Sequence, residues 1–225
     1  MPDSFSREHP SPRYRELLAQ YRSMHTEGEK QSGMPAEQTF PGKSLAPQAT
    51  RIKRLIEASA AANILDYGSG KGRQYLPHAL VGKEVERFDT IQDYWNVDFI
   101  QCYDPGYEPY CTLPAGQFDG VVCTDVLEHC PEEDLPWIIG ELFAYARTFV
   151  FVSVAVYPAG KRLPNGENAH ATVRDAAWWH GVFRPAVRPG LIWEVWLDHR
   201  DRQADGSFVR REVAIGSAYP VPLAG

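Results

Sequence analysis

Two periods of hydrophobic and polar positions run along this chain. Short apolar runs recur at Ala61–Leu65, Val97–Tyr103, Phe118–Thr124 and Phe149–Val156. Their length and their β-branched and aromatic content predict buried strands. The last is almost wholly apolar, as expected of a strand covered on both faces. Between and before these runs the period changes to that of a helix. Leu135, Ile138, Ile139, Leu142, Phe143 and Ala146 fall at i, i+3, i+4, i+7, i+8 and i+11. That is one apolar face of a helix, with Glu132, Glu133 and Asp134 in its first turn, where the dipole favours acids.

Tyr14, Leu17, Leu18, Tyr21 and Met24 form a second stripe. Ser11-Pro12 opens that helix, serine as cap and proline in the first turn. The stripe reads as core or lid packing. Ile52, Leu55 and Ile56 mark a short helix before the first strand. A helix is predicted over Arg73–Leu80, kinked or shortened by Pro77. Thr172-Val173-Arg174-Asp175 resembles a capping box ahead of Trp178 and Trp179, which read as core. Leu191–Leu197 and Ser207–Ile215 are strand-like, with Asp205-Gly206 as a hairpin signal between them.

The connections carry the irregular stretches. Residues 26–49 are rich in Gly, Pro, Ser and Gln and lack periodicity, so they are a lid or disordered. Phe40-Pro41-Gly42-Lys43-Ser44-Leu45 is their compact apolar piece. Gly82–Val97 is a polar insertion with Trp95 and no legible role. Gly106–Gln117 leaves room for only a stub of strand near Tyr110–Leu113. The division expected is an N-terminal helical lid, 1–59, and a domain, 60–225.

Composition narrows the classes. At 225 residues and 44% hydrophobic, the chain can bury a core. A net charge of −6 disfavours nucleic acid as the main partner, and no apolar run reaches the length of a membrane span. No N-terminal signal pattern is present. Cys102, Cys111, Cys123 and Cys130 contain no C-x-x-C pair, so no metal site is expected; free thiols fit a reducing cytoplasm. Oligomeric state is not legible.

The chemistry concentrates after the first strand, at Asp66-Tyr67-Gly68-Ser69-Gly70-Lys71-Gly72. Glycine there reaches dihedrals closed to other residues and lets a ligand approach the backbone. The dinucleotide fingerprint G-x-G-x-x-G fails, because Arg73 occupies the third position and Gly72 comes one residue early. A phosphate-loop pattern is absent. Asp66, before the first glycine, suits a cationic group better than a pyrophosphate.

This motif resembles the first motif of class I S-adenosylmethionine-dependent methyltransferases, of the small-molecule, ubiquinone-biosynthesis-like (type 11) group. Phe118-Asp119-Gly120-Val121, followed by Val126-Leu127-Glu128-His129, resembles the family's fourth strand and its turn. The two matches stand in the right order some fifty residues apart. Pro77 departs from the uninterrupted helix usual in the family. The resemblance implies a Rossmann-like, doubly wound, mostly parallel sheet with an antiparallel C-terminal hairpin, in three α/β/α layers.

It also implies a cofactor, S-adenosyl-L-methionine, and a small-molecule methyl acceptor bound through oxygen or nitrogen. Asp66 would face the donor's ammonium group, and Gly68, Ser69, Gly70 and Gly72 would give close approach. Asp104, with Pro105, would hold the ribose hydroxyls, since a carboxylate offers acceptors only; Asp104-Pro105-Gly106 is also a strong turn sequence in its own right. Leu113 would touch the adenine, and the main chain at Thr124 and Asp125 the methionine part. His129 and His170 are the candidate bases, since imidazole titrates near neutrality; a structural hydrogen bond is the competing role for each. Lys161 and Arg162 would meet an anionic group or serve as solvated surface charge. A nicotinamide-dependent oxidoreductase and a catalytically silent binding module are the other classes considered. Macromolecular acceptors are disfavoured by the lack of a basic stripe.

Overall fold

The computed structural model describes residues 5–78, 87–203 and 205–218. Its centre is a six-stranded sheet of β1 (Asn63–Tyr67), β2 (Phe99–Tyr103), β3 (Phe118–Thr124), β4 (Ala146–Ala155), β5 (Ile192–Arg202) and β6 (Phe208–Gly216). The spatial order is β2-β1-β3-β4-β5-β6. Every neighbouring pair is parallel except β5 and β6, which form an antiparallel hairpin. This is the expected Rossmann-like architecture. Because parallel strands all end on the same side, their C-terminal tips make one edge, and the chain's turns after β1, β2 and β3 meet there.

Strand alternation sorts the core into two layers. Leu65, Val121, Cys123, Val150, Val152 and Val154 face α4 (Leu135–Tyr145) and α5 (Ala176–Phe183), packing with Ile138, Ile139, Leu142, Trp179 and Phe183. Ile64, Val122, Phe149 and Phe151 point the other way, onto α2 (Ala49–Ser59) and α3 (Ile91–Trp95), against Ile52, Leu55, Ile56 and Trp95. Gly120 has no room for a side chain, since a Cβ there would lie 2.2 Å from the Phe149 ring.

The remaining helix, α1 (Pro12–Glu27), lies over the sheet edge. Ser11 caps it as expected, its Oγ accepting the Tyr14 N–H at 2.9 Å. Ahead of α1, the Arg7 guanidinium binds the Glu141 carboxylate on α4, donates to the Tyr67 and Tyr103 hydroxyls at 2.8 and 3.0 Å, and lies over Trp137. Residues 26–49 are ordered into two 3-10 turns, Ala36–Gln38 and Lys43–Gln48, the second running into α2.

Three local expectations change. The helix predicted over Arg73–Leu80 reduces to one 3-10 turn, Arg73–Tyr75, in the described part of that stretch. Leu76 is extended (φ −70°, ψ 152°), as a residue before proline must be, and Pro77 has no N–H to continue a helix. The stub near Tyr110–Leu113 is replaced by a 3-10 turn, Glu108–Tyr110. Strand β5 runs five residues beyond Leu197, because its polar half is paired with β6 and laced by Arg210–Asp198 and Arg211–Asp201 bridges. The part of Gly82–Val97 before Arg87 lies outside the described residues. No described helix is long and apolar enough to cross a membrane.

Candidate active site

A cavity of about 590 Å³ opens at the C-terminal edge of the sheet, within the size range of small-ligand sites. The sheet forms its floor with Gly68 and Gly70 after β1, Asp104, Pro105 and Gly106 after β2, and Thr124, Asp125, Val126 and His129 after β3. Its cover comes from Tyr14, Leu17, Leu18, Tyr21 and His25 of α1 and from Met34 to Ser44. The loop after β4 closes one side with Tyr157, Lys161, Ala169 and His170, and Arg200 reaches in from β5.

The glycine turn has the dihedrals its residues allow: φ is +83° at Gly68, +58° at Gly70 and +64° at Gly72. A Cβ on Gly70 would sit 2.4 Å from the Phe40 carbonyl oxygen. That carbonyl accepts the Lys71 N–H at 2.9 Å, so the cover rests directly on the turn. Phe40 itself holds φ +49°, an uncommon conformation for a non-glycine residue. Its ring packs against Tyr21 and His25.

Asp104 joins the two turns. Its Oδ2 accepts the Gly70 N–H at 2.9 Å and its Oδ1 the Gly106 N–H at 2.8 Å. Burial pushes its carboxyl above the ordinary range, while the Gly106, Gly70 and Tyr107 N–H groups pull it back. Carboxylate oxygens offer about four acceptor sites in all, so about one remains for a ligand. His25, stacked on Tyr107, stands 3.9 Å from Oδ1. Burial first, then the Lys71 charge, lower His25 to about 4, so it is neutral at pH 7.

At the β3 tip, Asp125 adopts φ +61° and donates its N–H to Ser153. His129 follows one 3-10 turn later. Its Nδ1 lies 2.8 Å from the Ala169 carbonyl and 2.8 Å from the Tyr21 hydroxyl, which itself donates to Ala169. His170 Nδ1 lies 2.6 Å from the Tyr157 carbonyl. A carbonyl only accepts, so the proton sits on Nδ1 of each ring and Nε2 keeps its lone pair. Asn168 fixes this loop, accepting from the Ala159 and His170 N–H groups. The imidazoles meet edge to face at 4.9 Å. Burial lowers both His129, to about 4, and His170. Beneath them Glu128 is fully buried, with Oε1 accepting the Ala155 N–H. Burial, then the adjoining Asp125 charge, raises it well above the carboxylate range.

Of the residues expected in the site, Gly68, Gly70, Asp104, Pro105, Thr124, Asp125, His129 and His170 therefore share one cavity. Ser69 and Gly72 belong to the turn but do not line it. Two more of the expected residues lie off the cavity. Asp66 is 1% exposed and off the cavity; its Oδ2 accepts from Gln74 Nε2 and the Tyr75 hydroxyl, both at 2.8 Å, and Oδ1 has no partner. The turn folds over Asp66, and Gln74 Nε2 ties its carboxylate to the Ser69 carbonyl. Leu113 is 48% exposed and likewise off the cavity, because the short Gly106–Gln117 connection never turns back over it. Arg162 also stays off the cavity and donates to the Gly166 carbonyl. Sequence reasoning overlooked His25, Tyr157 and Arg200. His25 continues the α1 stripe one residue past Met24, but Arg200 carried no local signal, since a strand's reach depends on its partner.

A model of the methyltransferase-domain family matches residues 42–188, well over half of the chain. The chain belongs to that family. This methyltransferase domain begins, by that match, within the 3-10 turns that cover the cavity. No curated protein matches. A solved structure named "DhpI-SAH complex structure" is similar at 16% identity, over 88% of this chain and 78% of its own, with a TM-score of 0.27.

Proposed function

We propose that this methyltransferase domain moves a methyl group from S-adenosylmethionine to an oxygen or nitrogen atom of a small molecule held in the cavity. Asp104 supports the reading most directly. It is an acidic side chain of the cavity floor, after β2, with an acceptor site to spare for a ribose hydroxyl. Gly68 and Gly70 bring backbone to the same cavity. When bound, the cofactor would supply an activated methyl carbon for the acceptor's lone pair, the electrons of the sulfonium C–S bond remaining on sulfur as the thioether of S-adenosylhomocysteine.

The chain's own residues would do the rest. The α1 and 34–44 cover keeps water from the methyl carbon and fixes the acceptor, which is most of what an in-line transfer requires. Tyr14, Leu17, Tyr21 and Phe40 offer an apolar wall. Lys161 and Arg200 lie over the Phe40 and Tyr157 rings at 4.9 and 4.2 Å, with no ion pair among the described residues, so an anionic group on the acceptor would find cations within the cavity lining. The acceptor's proton would leave at the polar cluster of Asp125, His129 and His170 that lines the cavity.

Calorimetric titration with S-adenosylhomocysteine tests the cofactor assignment. One site per chain is expected, competed by S-adenosylmethionine. Nicotinamide dinucleotide binding with no S-adenosylhomocysteine heat would overturn it.

A further inference from the structure

We propose that Asp125, His129 and His170 form a binding site for one divalent first-row transition-metal ion. A carboxylate oxygen and one nitrogen from each imidazole lie within 4.8 Å of one another. Three donors around a common ion at about 2.1 Å stand roughly 3.0–3.5 Å apart, so small side-chain rotations close the site. Two histidines and one carboxylate are a donor set that suits Zn²⁺, Fe²⁺ or Mn²⁺ and leaves coordination positions open.

Three further observations carry the assignment. First, each imidazole has its Nδ1–H tied to a backbone carbonyl, Ala169 for His129 and Tyr157 for His170. That is the outer-shell arrangement that fixes a metal-binding tautomer and leaves Nε2 as the ligand. Second, the two carbonyls lie on the loop that Asn168 braces, so the rings are oriented before any ion arrives. Third, Asp125 is held at φ +61° by its N–H to Ser153, and residues held in sparsely populated backbone regions cluster at functional sites. A search for metal sites through cysteine spacing passes over this one, because its ligands are forty-one and four positions apart along the chain.

The site opens into the cavity that also holds Lys161 and Arg200. Its open positions therefore select an acceptor with an oxygen donor, and a hydroxyl bound there loses its proton to solvent more readily. This use of the ion rests on the methyltransferase reading; the ion site does not.

The test uses full-length, tag-free protein stripped with chelator and titrated with Co²⁺ as a visible-absorbing probe, then with Zn²⁺ by calorimetry. One ion per chain is expected, with affinity falling more than about tenfold in Asp125→Asn, His129→Ala and His170→Ala. Tyr21→Phe, which keeps all three ligands, should still bind, and matched melting curves show which variants are folded. S-adenosylhomocysteine binding is measured on the stripped protein in parallel. No Co²⁺ or Zn²⁺ binding by the wild type, or equal binding by folded ligand variants, overturns the metal site. If S-adenosylhomocysteine fails to bind while one ion does, the methyltransferase reading falls and the ion site stands.

Discussion

Replacing Asp104 with asparagine separates two jobs that one carboxylate performs. In the fold, Oδ2 takes the Gly70 N–H and Oδ1 the Gly106 N–H, at 2.9 and 2.8 Å. Asparagine has one oxygen and an amide that only donates, so one of those N–H groups loses its acceptor. A half-buried orphan N–H costs about 1–3 kcal/mol, and a domain of this size should melt about 2–10 °C lower. The ligand side loses more. The charged acceptor left for a ribose hydroxyl is lost or becomes a neutral one, and one lost charge-assisted hydrogen bond is worth about 1.5–3 kcal/mol. Affinity for S-adenosylhomocysteine should then fall about 10- to 150-fold. Calorimetry at a temperature where both proteins are fully folded reads this directly. If Asp104→Asn melts lower but binds within twofold of wild type, the residue only joins the two turns, and the ribose assignment is wrong.

Two buried groups give the stability of this protein opposite slopes with pH. His25 is lowered to about 4 in the fold against about 6.5 unfolded, so its contribution is present above pH 6.5 and is lost as pH falls towards 4, by about 3 kcal/mol; His25→Phe should flatten that window in denaturant titrations. Asp66 is raised to about 6 against 3.8, so its contribution is present below pH 3.8 and is lost as pH rises through 6; Asp66→Asn should remove the loss, and an unchanged slope would show that Asp66 ionises freely. Arg7→Ala should cost about 1–3 kcal/mol by freeing Glu141 and the N-terminal segment, seen as a lower denaturant midpoint and faster proteolysis before α1; a midpoint shift under 0.5 kcal/mol counts against the clip. Gly70→Ala forces a Cβ into the Phe40 carbonyl at an unfavourable φ, so cleavage within residues 28–48 should accelerate and S-adenosylhomocysteine binding weaken at least tenfold; wild-type behaviour in both would mean the cover moves freely.

Much of this protein is legible along the chain. Strand alternation and helix period depend on neighbours a few residues apart, so β1, β3, β4, α1 and α4, and the layered fold they make, follow from local pattern. The glycine turn and Asp104 are equally local, because dihedral freedom and turn chemistry belong to short segments. Pro77 even announces the weakness of the stretch after the turn, though not that a single 3-10 turn would be all that forms there before the described residues break off. What the chain does not state is direction in three dimensions. Asp66 and Asp104 both end strands, yet one is sealed beneath the turn by Gln74 and Tyr75 and the other faces the cavity. That difference arises from packing. So does the meeting of Asp125, His129 and His170, whose imidazoles are aimed by carbonyls contributed from a distant loop, and so does the presence of Arg200, carried into the cavity by a strand whose length is set by its partner β6.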